Sequence, residues 1–486
     1  MTSTLSPPET EAALASYGSK TVAVEPGGVE FIPLSARHGK PGGLFWTWTS
    51  PNMEFATITV GILSVLVFGL TFWQAVAAIV IGNLLGSTSM GLLSTWGPKA
   101  GLPQMVLSRT GFGFLGNILP AGINAVVAGV GWFAVNSVSG ALALHALATG
   151  IPAKLCLLIV VVLMLVLAFA GHNLVHAFER FAFPVLTVIF VVGAIWVFAK
   201  SNPGAPAFEE PAFVGGTMGG FLLTVGATFG YAAGWNPYAS DYTRYLPADS
   251  NKKSVGLAAG LGVFISCVFL ETAGAAMVSA VAEPGIDPGI YTSPMPTWLG
   301  KLTLLAITIG AIAANALNLY SASMSFMALG IRLRTMLARA GVSVVFAVAG
   351  FCVGLWAIGS PGNNYENFLL IISYWIGPWL GVVFLDRVLH RRTAEQTWSE
   401  VSSTRYHNWA GPIAMLTGIV LSIWLFSNQT KYTGIVPSHE PKFGDIAFFA
   451  GFVISATLYT VLVKVLKPSG AVAIPAVDTS KADSTA

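Results

Sequence analysis

The sequence predicts an all-α integral membrane protein with twelve transmembrane helices, and three observations carry that reading: an extreme composition, twelve apolar runs and a one-sided distribution of basic residues. Of 486 residues, 54% are hydrophobic and only 9% are charged, where soluble domains carry about a quarter. Mean hydropathy is +0.72. Lipid is the main solvent for such a chain, and its length suffices for about a dozen spans of roughly 20 residues. The net charge of +3 is scattered between the apolar runs. Without a basic stripe, nucleic acid is not an expected partner. Cys156, Cys267 and Cys352 sit in separate apolar runs without metal-ligand spacing, so neither a disulfide framework nor a metal or other cofactor is expected. The polar start of the chain contains no short apolar stretch with a cleavage site, and predicts no secretory signal.

The apolar runs lie near 45–70, 72–95, 114–148, 154–171, 181–199, 215–236, 255–282, 298–328, 341–358, 367–386, 409–427 and 445–466. The third and eighth exceed the hydrocarbon thickness and must tilt or project beyond it. Twelve spans place Lys154, Lys200, Lys301, Lys431 and Lys442 on one side, and every other residue of the 24 Lys and Arg on the opposite side. Basic residues concentrate in cytoplasmic loops. Both termini are therefore expected in the cytoplasm, with the chain in the cell membrane; an odd number of spans would erase the asymmetry. Residues 1–43 read as a cytoplasmic N-terminal tail, 44–467 as the transmembrane domain and 468–486 as a cytoplasmic C-terminal tail. The tails are rich in Ser, Ala, Pro and Gly and read as mobile.

Two runs are interrupted. In the first, Thr49-Ser50-Pro51-Asn52 breaks the helix, because Pro51 lacks a backbone donor and clashes with the preceding turn. In the sixth, Ala233-Gly234-Trp235-Asn236-Pro237 does the same. Lipid tolerates open backbone only where it lines a cavity, so breaks five spans apart suggest inverted repeats meeting at a central site. The plainer account is that both prolines only kink packed helices. The repeats would cover about 44–200 and 214–392, with two further helices at about 409–466.

Trp132 and Asn136 are four residues apart in the third run and share a helix face, setting an aromatic plane beside an amide. Asn318 in the eighth run offers a second amide, and Trp235 at the sixth-run break a second indole. Stacking contributes about 1–3 kcal/mol to holding a base but does not discriminate among bases, whereas amide hydrogen bonds do. Most tryptophans of a membrane protein are interfacial, and most asparagines bond between helices; Trp132 differs because its run extends well beyond it on both sides.

Five acidic residues fall within or at the ends of runs: Glu54, Glu179, Asp241, Glu271 and Asp386. Each costs about 2.5–3.5 kcal/mol near the bilayer centre unless it has a partner or a duty. Glu54, two residues after the first break, is placed to touch a solute or carry a proton. Asp241 near Arg244, Glu179 beside Arg180 and Asp386 beside Arg387 read as structural or gating ion pairs. Glu271 has no charged neighbour in sequence and reads as a protonated packing residue. His172 and His176 share a face but lack a third ligand.

Trp96-Gly97-Pro98-Lys99-Ala100-Gly101-Leu102-Pro103, then Ser108-Arg109-Thr110-Gly111-Phe112-Gly113, HAFERF from His176 to Phe181 and GWNPYASDYTRYLP from Gly234 to Pro247 together resemble the nucleobase:cation symporter-1 family, the purine-cytosine permease type. The resemblance runs from about residue 30 to 460. It implies a LeuT-type 5+5 inverted repeat plus two C-terminal helices, with the solute between spans one, three, six and eight. It implies a stacking role for Trp132, amide contacts for Asn136 and Asn318, and a solute contact at Glu54, where some members carry glutamine. The span-six aromatic falls at Ala232 beside Tyr231 by ungapped alignment on Asp241, or at Trp235 if the break is shifted; Trp235 is preferred.

The resemblance implies a symporter that imports a nucleobase such as cytosine or a purine with a coupling ion. Sodium-coupled members use two span-eight hydroxyls, and those positions here are Ile312 and Ala313. Without hard oxygen ligands Na⁺ is poorly held, which favours a proton, with Glu54, Asp241, Glu271 and Glu179 as coupling or gating candidates. A same-fold carrier of allantoin, pyridoxine or another small solute, a sodium-coupled carrier, and a channel remain as alternatives. No catalytic spacing points to an enzyme.

Overall fold

The computed structural model describes residues 28–169, 172–207, 215–331 and 336–472. Its main helices are α1 (Gly43–Thr49), α2 (Phe55–Leu66), α3 (Phe72–Ser94), α4 (Ile118–Val126), α5 (Phe133–Leu147), α6 (Ala153–Phe169), α7 (His172–Lys200), α8 (Gly216–Ala233), α9 (Ala239–Thr243), α10 (Lys252–Met277), α11 (Thr297–Ala328), α12 (Met336–Ala357), α13 (Pro361–His390), α14 (Ala410–Phe426) and α15 (Ala447–Leu466). A small hairpin, β1 (Asn428–Gln429) and β2 (Tyr432–Thr433), joins α14 to α15 and pairs Asn428 with Thr433. Among the described residues, eight helices are long and apolar enough to cross a membrane, and three more are apolar but shorter. Outward-facing side chains such as Val166, Val188, Val345 and Val465 are exposed and apolar, as a lipid-facing surface requires. The chain is a multi-pass membrane protein.

Both interrupted runs break at their prolines. α1 passes through a short 3₁₀ turn, Ser50–Asn52, to Met53 and to Glu54, whose backbone is extended, before α2 begins. α8 ends at Ala233, and a 3₁₀ turn, Asn236–Tyr238, leads into α9. Freed polar groups at the first break are retaken locally: the Glu54 N–H donates to the Asn52 carbonyl at 2.9 Å and the Thr57 hydroxyl to the same oxygen at 2.6 Å. The third run divides in another way. Between α4 and α5 one turn, Val127–Trp132, is a π-helix, carrying an extra residue per turn.

Close backbone approach holds the breaks together. A Cβ on Gly61 would stand 1.6 Å from the Glu271 carbonyl oxygen, and one on Gly274 would stand 1.9 Å from that of Ile58, so α2 and α10 touch backbone to backbone. α3 meets α8 through Gly82, against Thr228, and Gly86, against Ala232. With no hydrophobic drive between helices in lipid, such small-residue contacts are a main source of association. α3 starts on a capping box, Thr71 with Gln74, so its register is fixed at its first turn.

Parts of both tails are ordered. Ile32 is buried, its N–H donates to the Gly101 carbonyl at 3.0 Å, and the His38 N–H donates to that of Tyr245 at 2.7 Å. At the other end, His407 and Ser469 exchange backbone hydrogen bonds. Residues 28–43 and 468–472 thus pack on the loops after α3, α9 and α13, because apolar Ile32 and unpaired loop carbonyls there offer them partners.

Asp386 lies at the end of α13 and pairs with Arg392 at 2.7 Å rather than with adjacent Arg387. The Arg387 guanidinium lies over the Trp96 ring, 4.2 Å from its centroid. Neighbouring helix positions point about 100° apart, which sets Arg387 on a different face. Arg392 also holds Glu400 at 2.5 Å, and Tyr459 donates to Asp386 at 2.6 Å, tying α13, the following loop and α15.

Candidate solute site

The two breaks meet through Asn52 and Trp235. The Trp235 indole N–H donates to the Asn52 Oδ1 at 2.9 Å, and the Asn52 amide donates to the Trp48 carbonyl at 2.8 Å and the Ser266 hydroxyl at 3.0 Å. Its orientation fixed, Trp235 lies parallel to Trp132, with 10° between planes and 6.4 Å between centroids. Tyr231 stands edge-on to Trp132 at 5.4 Å, and Phe368 of α13 does so at 5.2 Å. Ala232 is turned away against Gly86. Of the three candidate positions on the sixth run, Trp235 is the one parallel to Trp132.

Beside this pair lies a buried polar cluster. Glu54, Asn136, Asn315 and Asn318 are all buried, at 1% exposure or less. The Tyr231 hydroxyl reaches the Glu54 Oε1 at 3.3 Å and the Thr57 hydroxyl at 2.5 Å. The Asn136 amide nitrogen donates to the Asn315 Oδ1 at 3.1 Å; turned over, it donates to both Glu54 oxygens at 3.2 and 3.1 Å. Asn318 donates to the Asn315 Oδ1 at 3.2 Å and accepts from the Tyr238 hydroxyl at 3.4 Å. Glu54, Trp132, Asn136, Trp235 and Asn318 are therefore brought together. Asn315 and Asn52 join them without having been singled out in the sequence; Asn315 stands three residues before Asn318, a spacing that placed it on the same face.

Two other acidic candidates, Asp241 and Glu271, have partners outside this cluster. Asp241 accepts from the Gln104 N–H at 2.9 Å. Glu271 accepts from the Asn83 amide at 2.5 Å, on the α3 side of α10. The side chain of Glu179 lies outside the described residues. Along α11, Gly310 faces the first break, where a Cβ would meet the Met53 carbonyl at 2.5 Å; of the two positions just after it, Ile312 is half-buried and Ala313 is buried. Neither offers a hydroxyl.

On one side the cluster is closed by α13. The Tyr365 hydroxyl donates to the Ala56 carbonyl at 3.1 Å, and Phe368 presses on Gly131, where a Cβ would stand 2.4 Å from its ring. Beyond them opens a cavity of about 380 Å³, walled by Phe55, Val138, Trp356, Tyr365 and Phe368 and rimmed by Asn367, Gln429 and Lys431. The β1–β2 hairpin forms part of that rim, and Asp445 anchors it: its carboxylate accepts from the Tyr374 hydroxyl and from the N–H groups of Asn428 at 2.7 Å and Ala447 at 3.0 Å. Burial pushes the Asp445 carboxyl up to about 6, against the pull of these donors.

Comparison with known proteins follows the same lines. Residues 31–451 match the family described as permease for cytosine/purines, uracil, thiamine, allantoin. The chain is similar to the purine-cytosine permease of Emericella nidulans, 29% identical over 92% of this chain and 91% of that one. It is similar also to a putative purine-cytosine permease of Bacillus subtilis, at 28% over 90% and 95%. In fold it resembles Mhp1 in an inward-facing conformation, with a TM-score of 0.71 and 18% identity over 92% of this chain and 95% of that one. It resembles too a closed nucleobase-cation-symport-1 transporter with bromovinylhydantoin bound, with a TM-score of 0.69 and 18% identity over 90% and 96%.

Proposed function

We propose that this chain, which belongs to the family of permeases for cytosine/purines, uracil, thiamine and allantoin, imports a nucleobase such as cytosine or a purine across the cytoplasmic membrane in symport with a proton. The observation that carries the reading is the parallel pair Trp132 and Trp235 beside buried Glu54, Asn136 and Asn318. A planar ring held at van der Waals contact on both faces needs about 7 Å between the flanking planes. The indole centroids stand 6.4 Å apart in planes 10° from parallel, a distance that bounds the separation of the planes from above, so the two indoles must part to admit a ring between their faces. Stacking then supplies affinity, and the amides and carboxyl read the ring edge. Where some relatives carry an amide, Glu54 offers acceptors, which suits a solute edge bearing N–H or amino donors.

Twelve spans in two inverted repeats, with both termini cytoplasmic, agree with the basic-residue asymmetry and with the breaks at Pro51 and Pro237. In that orientation the 380 Å³ cavity is the outer vestibule, and Tyr365 with Phe368 forms the closed outer gate of an alternating-access cycle. Proton coupling rests on Ile312 and Ala313 in place of hydroxyls and on Glu54 just after the first break; Glu271, Asp241 and Glu179 are secondary candidates. At about 100 mV and one pH unit, a proton supplies about 2.3 plus 1.4 kcal/mol, enough for accumulation of several hundredfold.

The test is uptake of radiolabelled cytosine into proteoliposomes, with proton and sodium gradients imposed separately and a competition panel of nucleobases, allantoin and pyridoxine. Proton-driven uptake competed by bases is expected, and lost in Glu54→Gln. Sodium-driven uptake without a proton gradient rejects the coupling; uptake competed by no base rejects the solute class.

A further inference from the structure

Asn315 has its amide locked. Its Nδ2 donates to the Phe133 carbonyl at 2.9 Å and the Ser137 hydroxyl at 3.3 Å, and lies 3.0 Å from the Met164 sulfur. With acceptors around the nitrogen, Oδ1 must point the other way, toward Asn136 and Asn318. A carbonyl oxygen only accepts, so each of those amides is drawn to present its NH₂ group to it. Asn318 does so freely, since its own Oδ1 then accepts from Tyr238.

Asn136 is not free, because its far end meets Glu54. With its NH₂ on Asn315, its Oδ1 stands 3.1–3.2 Å from the two Glu54 oxygens. That contact is a hydrogen bond only when the carboxyl carries a proton to donate. An ionised Glu54 makes it a contact between acceptors, and turning the amide over gives both carboxylate oxygens a donor. The turned amide then sets its oxygen 3.1 Å from the Asn315 oxygen, a new conflict that a donor from Asn318 at 3.2 Å must relieve. A buried polar atom without a partner costs as much as a lost hydrogen bond or more.

We infer that Asn315 is a positioning residue that links the proton on Glu54 to the orientation of Asn136, and through Asn318 to the donor and acceptor pattern presented to the solute. This rests on the reading of the chain as a proton-coupled nucleobase carrier. The other titratable groups facing Glu54 are Tyr231 of α8, Tyr365 of α13 and Cys267 of α10, with Glu271 behind them. Tyr231 has one hydroxyl proton to place on Thr57 at 2.5 Å or on Glu54 at 3.3 Å, and its oxygen can accept from a protonated carboxyl, so it has a partner in either arrangement and does not select between them.

The experiment is equilibrium binding of radiolabelled cytosine, with adenine and hypoxanthine as competitors, to the purified full-length protein across acidic to weakly alkaline pH. In the wild type the affinity and the ranking of bases change together with pH, by about tenfold, the scale of one hydrogen bond to a charged group. Glu54→Gln carries an NH₂ group that serves Asn136 at every pH, so its profile is flat and keeps the ranking of the wild type at acidic pH. Asn315→Ala removes the fixed acceptor, frees Asn136 to serve ionised Glu54, and moves the midpoint toward acid by about one unit with a changed ranking. If Asn315→Ala does not fold, Asn315→Ser, too short to reach Asn136, takes its place with the same expectation. An Asn315 variant with the wild-type midpoint and ranking overturns the inference, as does a Glu54→Gln protein with the wild-type pH profile. A wild-type protein that binds no base at any pH overturns the nucleobase reading, and this inference with it.

Discussion

Trp132 and Trp235 lie 10° from parallel although one comes from the π-turn of the third run and the other from the break in the sixth, and the hydrogen bond from Trp235 to Asn52 keeps them so. If a planar solute enters between them, Trp132→Ala removes one whole face of its contact. Affinity for cytosine is expected to fall by about 10- to 100-fold, the equivalent of about 1–3 kcal/mol of stacking. Membrane insertion should be unchanged. Equilibrium binding beside surface abundance measures both, and wild-type affinity in the variant would sink the stacking role.

Asn318→Ala acts on choice rather than on strength. Its amide sits in a buried cluster where a ring edge without a partner is penalised, so the variant should reorder cytosine, adenine and hypoxanthine in competition assays by about tenfold. An equal loss for every base would count against a selective role.

Gly61→Ala tests the fold that carries the site. A Cβ there meets the Glu271 carbonyl at 1.6 Å, and backbone cannot yield as a side chain can. Separating α2 from α10 is expected to cost about 1–3 kcal/mol or more. A lower midpoint in detergent thermal unfolding, with reduced yield, is the expected outcome; wild-type behaviour would show that the two helices are not in backbone contact.

Asp445 gives a pH signature at the rim of the cavity beside α13. Burial lifts its carboxyl from an ordinary value of 3.8 to about 6. A raised acid binds more protons folded than unfolded, so its contribution is fully present below its unfolded value and is lost as pH rises through about 6. Thermal stability should therefore decline between about pH 4 and pH 6. Asp445→Asn, which cannot ionise, should abolish that decline while weakening the hold on Asn428. An unchanged slope in the variant would assign the titration elsewhere.

Much of the architecture could be read from the residues because lipid makes few demands and makes them loudly. Long apolar helices and two proline breaks follow from hydropathy and from Pro51 and Pro237, and the stacking and amide residues stood out as polar or aromatic groups deep within such runs. What could not be read was partnership. Asp386 was set beside Arg387 by adjacency, but the ion pair formed with Arg392, where the chain folds back after α13. Asn315 resembled any interhelical amide until its nitrogen was seen to be consumed by Phe133 and Ser137. The ordered stretch around Ile32 carried no periodic signal, since its partners are loop carbonyls far along the chain.

The π-turn at Val127–Trp132 also bears on how related chains are aligned. One residue corresponds to about 100° of rotation on a helix. A π-turn takes about one residue more than an α-turn, so it absorbs that residue within itself and leaves α4 and α5 in the register of an unbroken helix. Deleting a single residue from this turn would restore an ordinary helix with the faces of α4 and α5 nearly unchanged, whereas the same deletion elsewhere in the run would turn one half against the other by about 100°. A one-residue gap between two relatives is therefore tolerated at Val127–Trp132, where both chains can keep Trp132 and the packing of α4 on their faces.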